Sequence, residues 1–465
     1  MRKYVESLGQ LPTFAATTMR DARNYEVGTL RYTAAGLGMV MFWLLFGEFA
    51  IAFRDRSAVP SVTELLRQHH ASDTMVAVLV SALPALLSSV LVPIVGFRSD
   101  RFRSRWGRRL PFLAVVTPLA ALALAALGYC PQLGWATDRL LGAMSPGVDT
   151  CVLGWFCVFW TLFEAIALVS LALYGGLVND ILPRRILGRF YAAFRIVSLG
   201  AGILFNLWVF HLTEHHLREV FLGIGLFYGA ACLLMCVNVR EGEYVSGTTG
   251  QVPQDAPPLR SIARTYWNEC FSVRRYLLAF VALMASELAF VPFNTFSQLY
   301  AASMGLDKAM LGSLLATSYA LSIGLSPIVG WLVDRYSAAS MTWLALACYL
   351  GVSLGALPLV HDTHGFSILY VTHVVVSGAY YTACGSLPMA LFPRSRFLQF
   401  DSAKRFFGSA STILLSLVLG PTLDISGHQY GLTLLYGGLF AGASLVAFWH
   451  LNCTATDDIF DAASE

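Results

Sequence analysis

The chain alternates long apolar stretches with short polar ones. Runs of about twenty apolar residues recur, each long enough to cross a bilayer core of about 30 Å as a helix. Twelve can be drawn, at roughly 30–53, 75–97, 110–129, 152–178, 188–211, 219–238, 277–301, 308–333, 341–360, 367–392, 402–423 and 430–452. The pattern predicts an all-α membrane protein with twelve transmembrane helices. Composition agrees: 56% of the 465 residues are hydrophobic and only 13% are charged. A soluble domain carries about a quarter charged residues.

Charge placement says more than the net charge of +3. An even number of spans puts both ends of the chain on one side. Polar segments on that side hold 25 of the 31 Lys and Arg, or 23 without Arg195 and Arg405, which fall at or within span starts. The opposite segments hold six: Arg54, Arg56, Arg67, Arg139, Arg218 and Lys308. By the positive-inside rule both termini are expected in the cytoplasm, with the chain in the cytoplasmic membrane. The first twenty-odd residues are polar and offer no apolar core for a cleavable signal peptide.

The longest internal polar stretch begins near Arg240. "EGEYVSGTTGQVPQDAPPL" reads as a flexible linker, and "RSIARTYWNECFSVRRY" as an interfacial amphipathic helix or an irregular basic connector. The organisation expected is a cytoplasmic segment over 1–27, a six-helix half over 28–240 and a cytoplasmic linker over 241–276. A second six-helix half over 277–453 and a cytoplasmic tail over 454–465 complete it. The halves echo each other. "VPIVGFRSDRF" at 92–102 aligns with "SPIVGWLVDRY" at 326–336, "LPRRILGRFYAAFR" at 182–195 with "FPRSRFLQFDSAKR" at 392–405, and "GEFA" at 47–50 with "SELA" at 286–289. Three correspondences in one order point to a duplicated, pseudo-symmetric six-span unit. Secondary transporters are commonly built this way, with the substrate site near the midplane between repeats.

Between spans two and three lies Gly96-x-x-x-Asp100-Arg101-x-Arg103-x-Arg105-x-Gly107-Arg108-Arg109. With twelve spans, this resembles the signature loop of the major facilitator superfamily. The fuller "SDRFRSRWGRRLPF" and the "NDILP" at 179–183 resemble, more narrowly, the sucrose–proton symporters and the related glycoside–pentoside–hexuronide:cation symporters. Leu110 stands where the sucrose carriers commonly have a third arginine. The resemblance implies the major facilitator fold, a sugar or glycoside as substrate, and alternating access. The arginines alone are explained by topology. In the second half the element keeps Gly330, Asp334 and Arg335 but drops most other arginines, so the retained residues are read as a gating motif. Asp100 is expected to pair with a loop arginine or to cap a helix of the other half. The resemblance implies span eleven, starting near Ser402.

An ionisable side chain inside a span costs about 2.5–3.5 kcal/mol on insertion scales, so each needs a reason. Glu48, Glu164, Arg195 and Glu287 lie within predicted spans. Glu48 either reaches the outer interface or takes part in coupling, and Arg195 either snorkels or lines the cavity. Spans four and five should pack antiparallel, which could bring Glu164 and Arg195 together. A carboxylate whose proton affinity depends on a neighbouring guanidinium links proton binding to substrate occupancy. The resemblance implies the same roles for these two positions. Glu287, Asn294 and Gln298 recur at i, i+7 and i+11 and so should share a face, and Asn206 should share that of Arg195. These amides suit sugar hydroxyls, or hydrogen bonds between helices. Pro292 suggests a kink in span seven. Trp160 and the Tyr380–Tyr381 pair are candidates to stack on a sugar ring, or packing residues.

The proposed set is thus Arg195, Asn206, Asn294, Gln298 and Trp160 for substrate, and Glu164, Glu48 and Glu287 for protons. Sodium is the alternative coupling ion. Nothing suggests an enzyme: HExxH, GxSxG and P-loop motifs are absent, and His69–His70 and His215–His216 sit in loops. No cofactor, metal or nucleic acid is expected. The partners are a small solute, a coupling cation and the lipid bilayer, with the carrier a monomer. The nine cysteines have no metal-binding spacing. Cys130 and Cys151 bracket one loop, where a disulfide is possible if that side is oxidising. Other readings are a drug or amphiphile exporter, a pigment-delivery carrier with a similar "GFRSD" loop, and a transporter-like sensor.

Overall fold

The structure, a computed structural model, describes residues 25–27, 29–102, 104–242, 274–385, 387–392 and 397–462. Most of the expected linker, 243–273, lies outside these, as do the side chains of Asp100, Arg101 and Asp334. A short hairpin, β1 (Tyr25–Val27) with β2 (Leu30–Tyr32), precedes the helices. The helices are α1 (Ala34–Gln68), α2 (Asp73–Ala77, a π-helical turn over Val78–Ala82, then Leu83–Arg101), α3 (Leu110–Leu127), α4 (Cys130–Leu141), α5 (Val148–Ile181), α6 (Arg184–Leu204) and α7 (Leu217–Asn238). Then come α8 (Arg274–Leu288), α9 (Val291–Ser303), α10 (Lys308–Tyr336), α11 (Ala338–Ala356), α12 (Thr363–Cys384), α13 (Leu387–Leu391), α14 (Phe397–Ile425) and α15 (Leu432–Ala462).

Local chemistry sets the boundaries. Thr33, Ser72, Asp307 and Asp362 each accept a backbone N–H from the first turn of the helix they precede. Span seven breaks after Leu288, and Pro292 sits in the first turn of α9, where its missing N–H costs nothing. The kink read from the sequence is a break between two helices.

Among the described residues, eleven helical stretches are long and apolar enough to cross a membrane. The expected tenth span, 367–392, is helical over α12 but is not among them, since Thr372, His373, Ser377 and three tyrosines dilute its apolar run. One boundary differs in a way that matters. Span one was expected to end at 53, but α1 runs to Gln68, so Arg54, Asp55 and Arg56 lie inside a helix and not in a loop. At 35 residues it is roughly 52 Å long at a rise of about 1.5 Å per residue. Removing Arg54, Arg56 and Arg67, all within α1, leaves three basic residues expected on the opposite side.

Packing falls into three clusters of buried apolar side chains. One draws only on residues between Leu37 and Val239, another only on residues between Ala279 and Leu451. The third contains residues from both stretches, from Ala58 and Trp160 to Tyr300 and Leu434. α14 packs against α2, and α10 against α6. Cys130 and Cys151 are separate buried thiols, with α4 folded between them; the possible disulfide is not formed here.

Candidate functional site

A cavity of about 690 Å³ lies where α1, α6, α9, α10 and α12 converge. Arg195, Asn206, Asn294 and Gln298, chosen from sequence as substrate ligands, all line it. Arg195 and Asn206 reach it from α6 and the π-helical turn that follows, while Asn294 and Gln298 reach it from α9. The break between α8 and α9 rotates Glu287 off their face. Its carboxylate pairs instead with Lys404 of α14 at 2.7 Å. Tyr381 is at the cavity, whereas Tyr380 is buried and hydrogen-bonded to Ser286.

Trp160 is not at the cavity. It is fully buried, packs against Phe156 and Phe163, and donates its indole N–H to the Leu79 carbonyl at 2.8 Å. An indole between two transmembrane helices must find such a partner, and this one ties α5 to α2.

Four buried polar atoms around the cavity have no hydrogen-bond partner among the described residues: Arg195 Nε, Asn206 Oδ1, Ser322 Oγ and His373 Nδ1. Buried polar groups are normally satisfied, and leaving one unmade costs about 1–3 kcal/mol. Their neighbours on the same side chains are engaged. Asn206 Nδ2 donates to the Gly202 carbonyl at 2.7 Å, and His373 Nε2 lies 2.9 Å from Asn294 Oδ1. The free atoms include a donor, an acceptor and a hydroxyl that serves as either, a set suited to a polar solute.

The charged residues at the cavity are Asp55, Arg56 and Arg195. Asp55 Oδ1 accepts from Nε and Nη2 of Arg54 at 2.8 and 2.6 Å. Arg54 is only 1% exposed and lies over the Tyr228 ring at 4.5 Å, so it is anchored away from the cavity. Among the described residues no ion pair joins Glu164 to Arg195; Glu164 feels the charges of Asp55 and Arg54, and its neighbour Phe163 lies beneath Arg54 at 5.9 Å. The pairing of Glu164 with Arg195 read from the sequence is therefore not the one formed, and Arg195 Nη2 points at the Gly378 carbonyl at 3.4 Å. Glu48 is 3% exposed, not at an interface, and its Oε2 has no partner among the described residues. It too feels Asp55, Arg54 and Arg56. Three carboxylates and two of the three arginines thus belong to one electrostatic group centred on α1.

Among the described residues, bonds between the two stretches of chain cluster at one end, where α1 finishes and α2 begins. Lys308 pairs with Glu64 at 2.9 Å, Gln298 Nε2 donates to the Pro60 carbonyl at 3.1 Å, and Ser81 meets Thr295 at 2.6 Å. Asp424, near the end of α14, accepts the backbone N–H groups of Asp73 and Thr74 at 2.7 and 3.0 Å, capping α2 from a distant part of the chain. Asp73 in turn accepts from Tyr430 and meets His428 Nδ1 at 2.7 Å. Gly420 allows this approach, since a Cβ there would stand 2.5 Å from the Thr74 Cα. Closure extends inward to Arg56, which donates to the Tyr319 hydroxyl at 2.8 Å.

At the other end, the basic loop ties the first stretch together. Gly107 has φ of +103°, and a Cβ there would collide with the Glu241 carboxylate. Glu241 accepts backbone N–H groups of Arg108, Arg109 and Leu110 at the start of α3, and burial pushes its carboxyl above the ordinary value against those three bonds. Arg108 and Arg109 both donate to Asp180 of "NDILP", at 2.5–3.0 Å and 2.6 Å. Arg105 is in the turn and exposed. Gly96, Asp100 and Arg101 lie in the last turns of α2, and Gly330, Asp334 and Arg335 in those of α10; Arg335 lies over Trp331 and Tyr336. The contact expected of Asp100 depends on its side chain, which lies outside the described residues.

Sequence reasoning missed Arg54, Asp55, Arg56, Tyr319 and His373. The signal available was the tract from Ser57 to Gln68, which lacks glycine and keeps apolar residues at helical spacing (Val59, Val62, Leu65, Leu66).

A family model for the Major Facilitator Superfamily matches residues 44–398. Among curated proteins, the sucrose transport protein SUC4 of Arabidopsis thaliana is 27% identical over 170 residues. That match covers 34% of this chain and 30% of the relative's length. Among solved structures, a mutant form of the nucleoside transporter NupG superposes with a TM-score of 0.63 at 13% identity, covering 89% of this chain and 99% of that one. The D-xylose-proton symporter gives a TM-score of 0.63 at 12% identity, covering 89% and 97%. At such identities the likeness is one of fold.

Proposed function

This chain belongs to the Major Facilitator Superfamily, and we propose that within it the protein is a proton-coupled carrier of a sugar or glycoside. It is a multi-pass membrane protein, and no enzymatic step enters the reading. The single observation behind the proposal is the cavity in which Arg195, Asn206, Asn294 and Gln298 converge with polar atoms left unpartnered. In this reading α12 completes twelve spans, arranged as two six-span halves about the cavity, with both termini in the cytoplasm. The end latched by Asp424, Lys308 and Gln298 then faces outside, and the form described is shut toward that side. The sucrose and xylose carriers among the relatives support a sugar; the nucleoside carrier keeps a ribose-bearing solute as the second choice.

Coupling is placed on the group around α1. Asp55 faces the cavity and is held by Arg54, with Glu164 and Glu48 behind it. A proton taken by a carboxylate changes what Arg54 can hold, and hence how α1 presents Asp55 and Arg56 to the solute. A proton moving through 100 mV supplies about 2.3 kcal/mol, enough for a roughly fifty-fold solute gradient. Proteoliposomes with an imposed pH gradient test this. A panel of labelled sugars and nucleosides should yield one that accumulates and shows saturable counterflow; neither signal for any of them would overturn the proposal.

A further inference from the structure

The cavity carries more positive charge than its own side chains neutralise. Of its three charged lining residues, Asp55 is already bound through one oxygen to two nitrogens of Arg54. Arg56 is held by a phenol, hydrogen-bonded to Tyr319 and lying over its ring at 4.7 Å. Arg195 has only the Gly378 carbonyl at 3.4 Å. Among the described residues neither guanidinium has a carboxylate within 4 Å, and the charge that Arg195 feels is that of Arg56. Two like charges sharing a low-dielectric cavity repel, and each already bears the cost of leaving water. Nε of Arg195 is buried and has no hydrogen-bond partner among the described residues.

The other ionisable groups linked to Arg56 and Asp55 come from α1 and α5. Counting Glu48, Arg54, Asp55, Arg56, Glu164 and Arg195, the set sums to zero when every carboxylate is ionised. It sums to +2 when Glu48 and Glu164 are protonated. Beside the cavity, Asn206 Oδ1 and His373 Nδ1 are buried acceptors with no partner among the described residues.

We infer that the solute this cavity takes is a polyhydroxylated anion, its carboxylate or phosphate held between Arg56 and Arg195 and its hydroxyls by the amides and His373. The inference rests on the reading of the cavity as a solute site and narrows its substrate class. It also gives coupling a charge logic: the protonated carrier is the one that attracts the anion, so the two travel together.

Matched pairs test it. Binding of D-gluconate and D-glucitol, which differ in carboxylate against hydroxymethyl, and of D-glucose 6-phosphate and D-glucose, is measured by calorimetry on the full-length carrier in nanodiscs. At least one anion should bind ten-fold or more tightly than its neutral partner. Arg56→Gln and Arg195→Gln should each abolish that preference, while Arg56→Lys and Arg195→Lys retain part of it, which controls for folding. Preference for gluconate alone identifies a carboxylate, and for the phosphate alone a phosphoryl group. Equal affinity within both pairs, or a preference that survives both glutamine variants, overturns the inference. If D-glucose or D-xylose still shows counterflow in that case, the transporter proposal stands without it; if no neutral or anionic compound binds or exchanges, both fall.

Discussion

The carboxylate of Asp424 accepts the backbone N–H of Asp73 at 2.7 Å, although 351 residues separate them. An acid from α14 thereby caps the helix that begins α2, and the positive end of that helix attracts it. Hydrogen bonds to a charged group contribute about 1.5–3 kcal/mol each. Asp424→Ala should therefore weaken closure at this end. With a cysteine placed at Ser297 in a background lacking native cysteines, labelling by an impermeant maleimide should quicken about ten-fold in the variant. An unchanged rate would remove Asp424 from the closing machinery.

His428 makes the same end sensitive to pH. Its hydrogen bond to Asp73, reinforced by the charges of Asp73 and Asp424, raises its pKa from the ordinary value near 6.5. The Tyr430 ring stacks beside it without adding charge. The closed form is favoured below the ordinary value, and that contribution is lost as pH rises through the raised pKa. The histidine is 58% exposed, so solvent moderates the effect. Maleimide labelling of the same reporter should accelerate with pH in the native carrier. In His428→Asn only the rise common to any exposed thiol, whose thiolate is the nucleophile, should remain.

Glu164→Gln separates coupling from binding. It removes a titratable group beside Arg54 and Asp55 but none that lines the cavity. Counterflow should persist within about two-fold, while accumulation driven by a pH gradient should be lost. Full accumulation in the variant would move the coupling site elsewhere.

Trp160→Phe should behave as a structural change. It leaves the buried Leu79 carbonyl without its donor, at a cost of about 1–3 kcal/mol. Tm should fall by a few degrees with the KM for the transported solute unchanged, whereas Asn294→Ala should raise KM with little loss of Tm. A raised KM in Trp160→Phe would return the indole to the site.

Gly107→Val tests the basic loop. The substituent would be strained at φ of +103° and would strike Glu241, freeing the N–H groups at the start of α3. Purified yield and Tm should both drop. Native values would mean that the loop rearranges without cost.

Hydrophobic run length and the placement of Lys and Arg were enough to give a helical membrane protein and most span positions, because a bilayer forces every spanning segment to satisfy its own backbone. Helical spacing was enough to bring Arg195 to one face with Asn206, and Asn294 with Gln298. Spacing failed where a helix broke or ran on. The break after Leu288 turned Glu287 toward Lys404, and the continuation of α1 past Phe53 placed within a helix three charges that had been given to a loop. Which charges meet was decided by tertiary structure. Glu164 faces α1 and not Arg195, Asp180 collects two arginines of the signature loop, and Asp424 reaches Asp73, because each pairing depends on how separate helices rotate and pack. Periodicity along one helix carries no information about that.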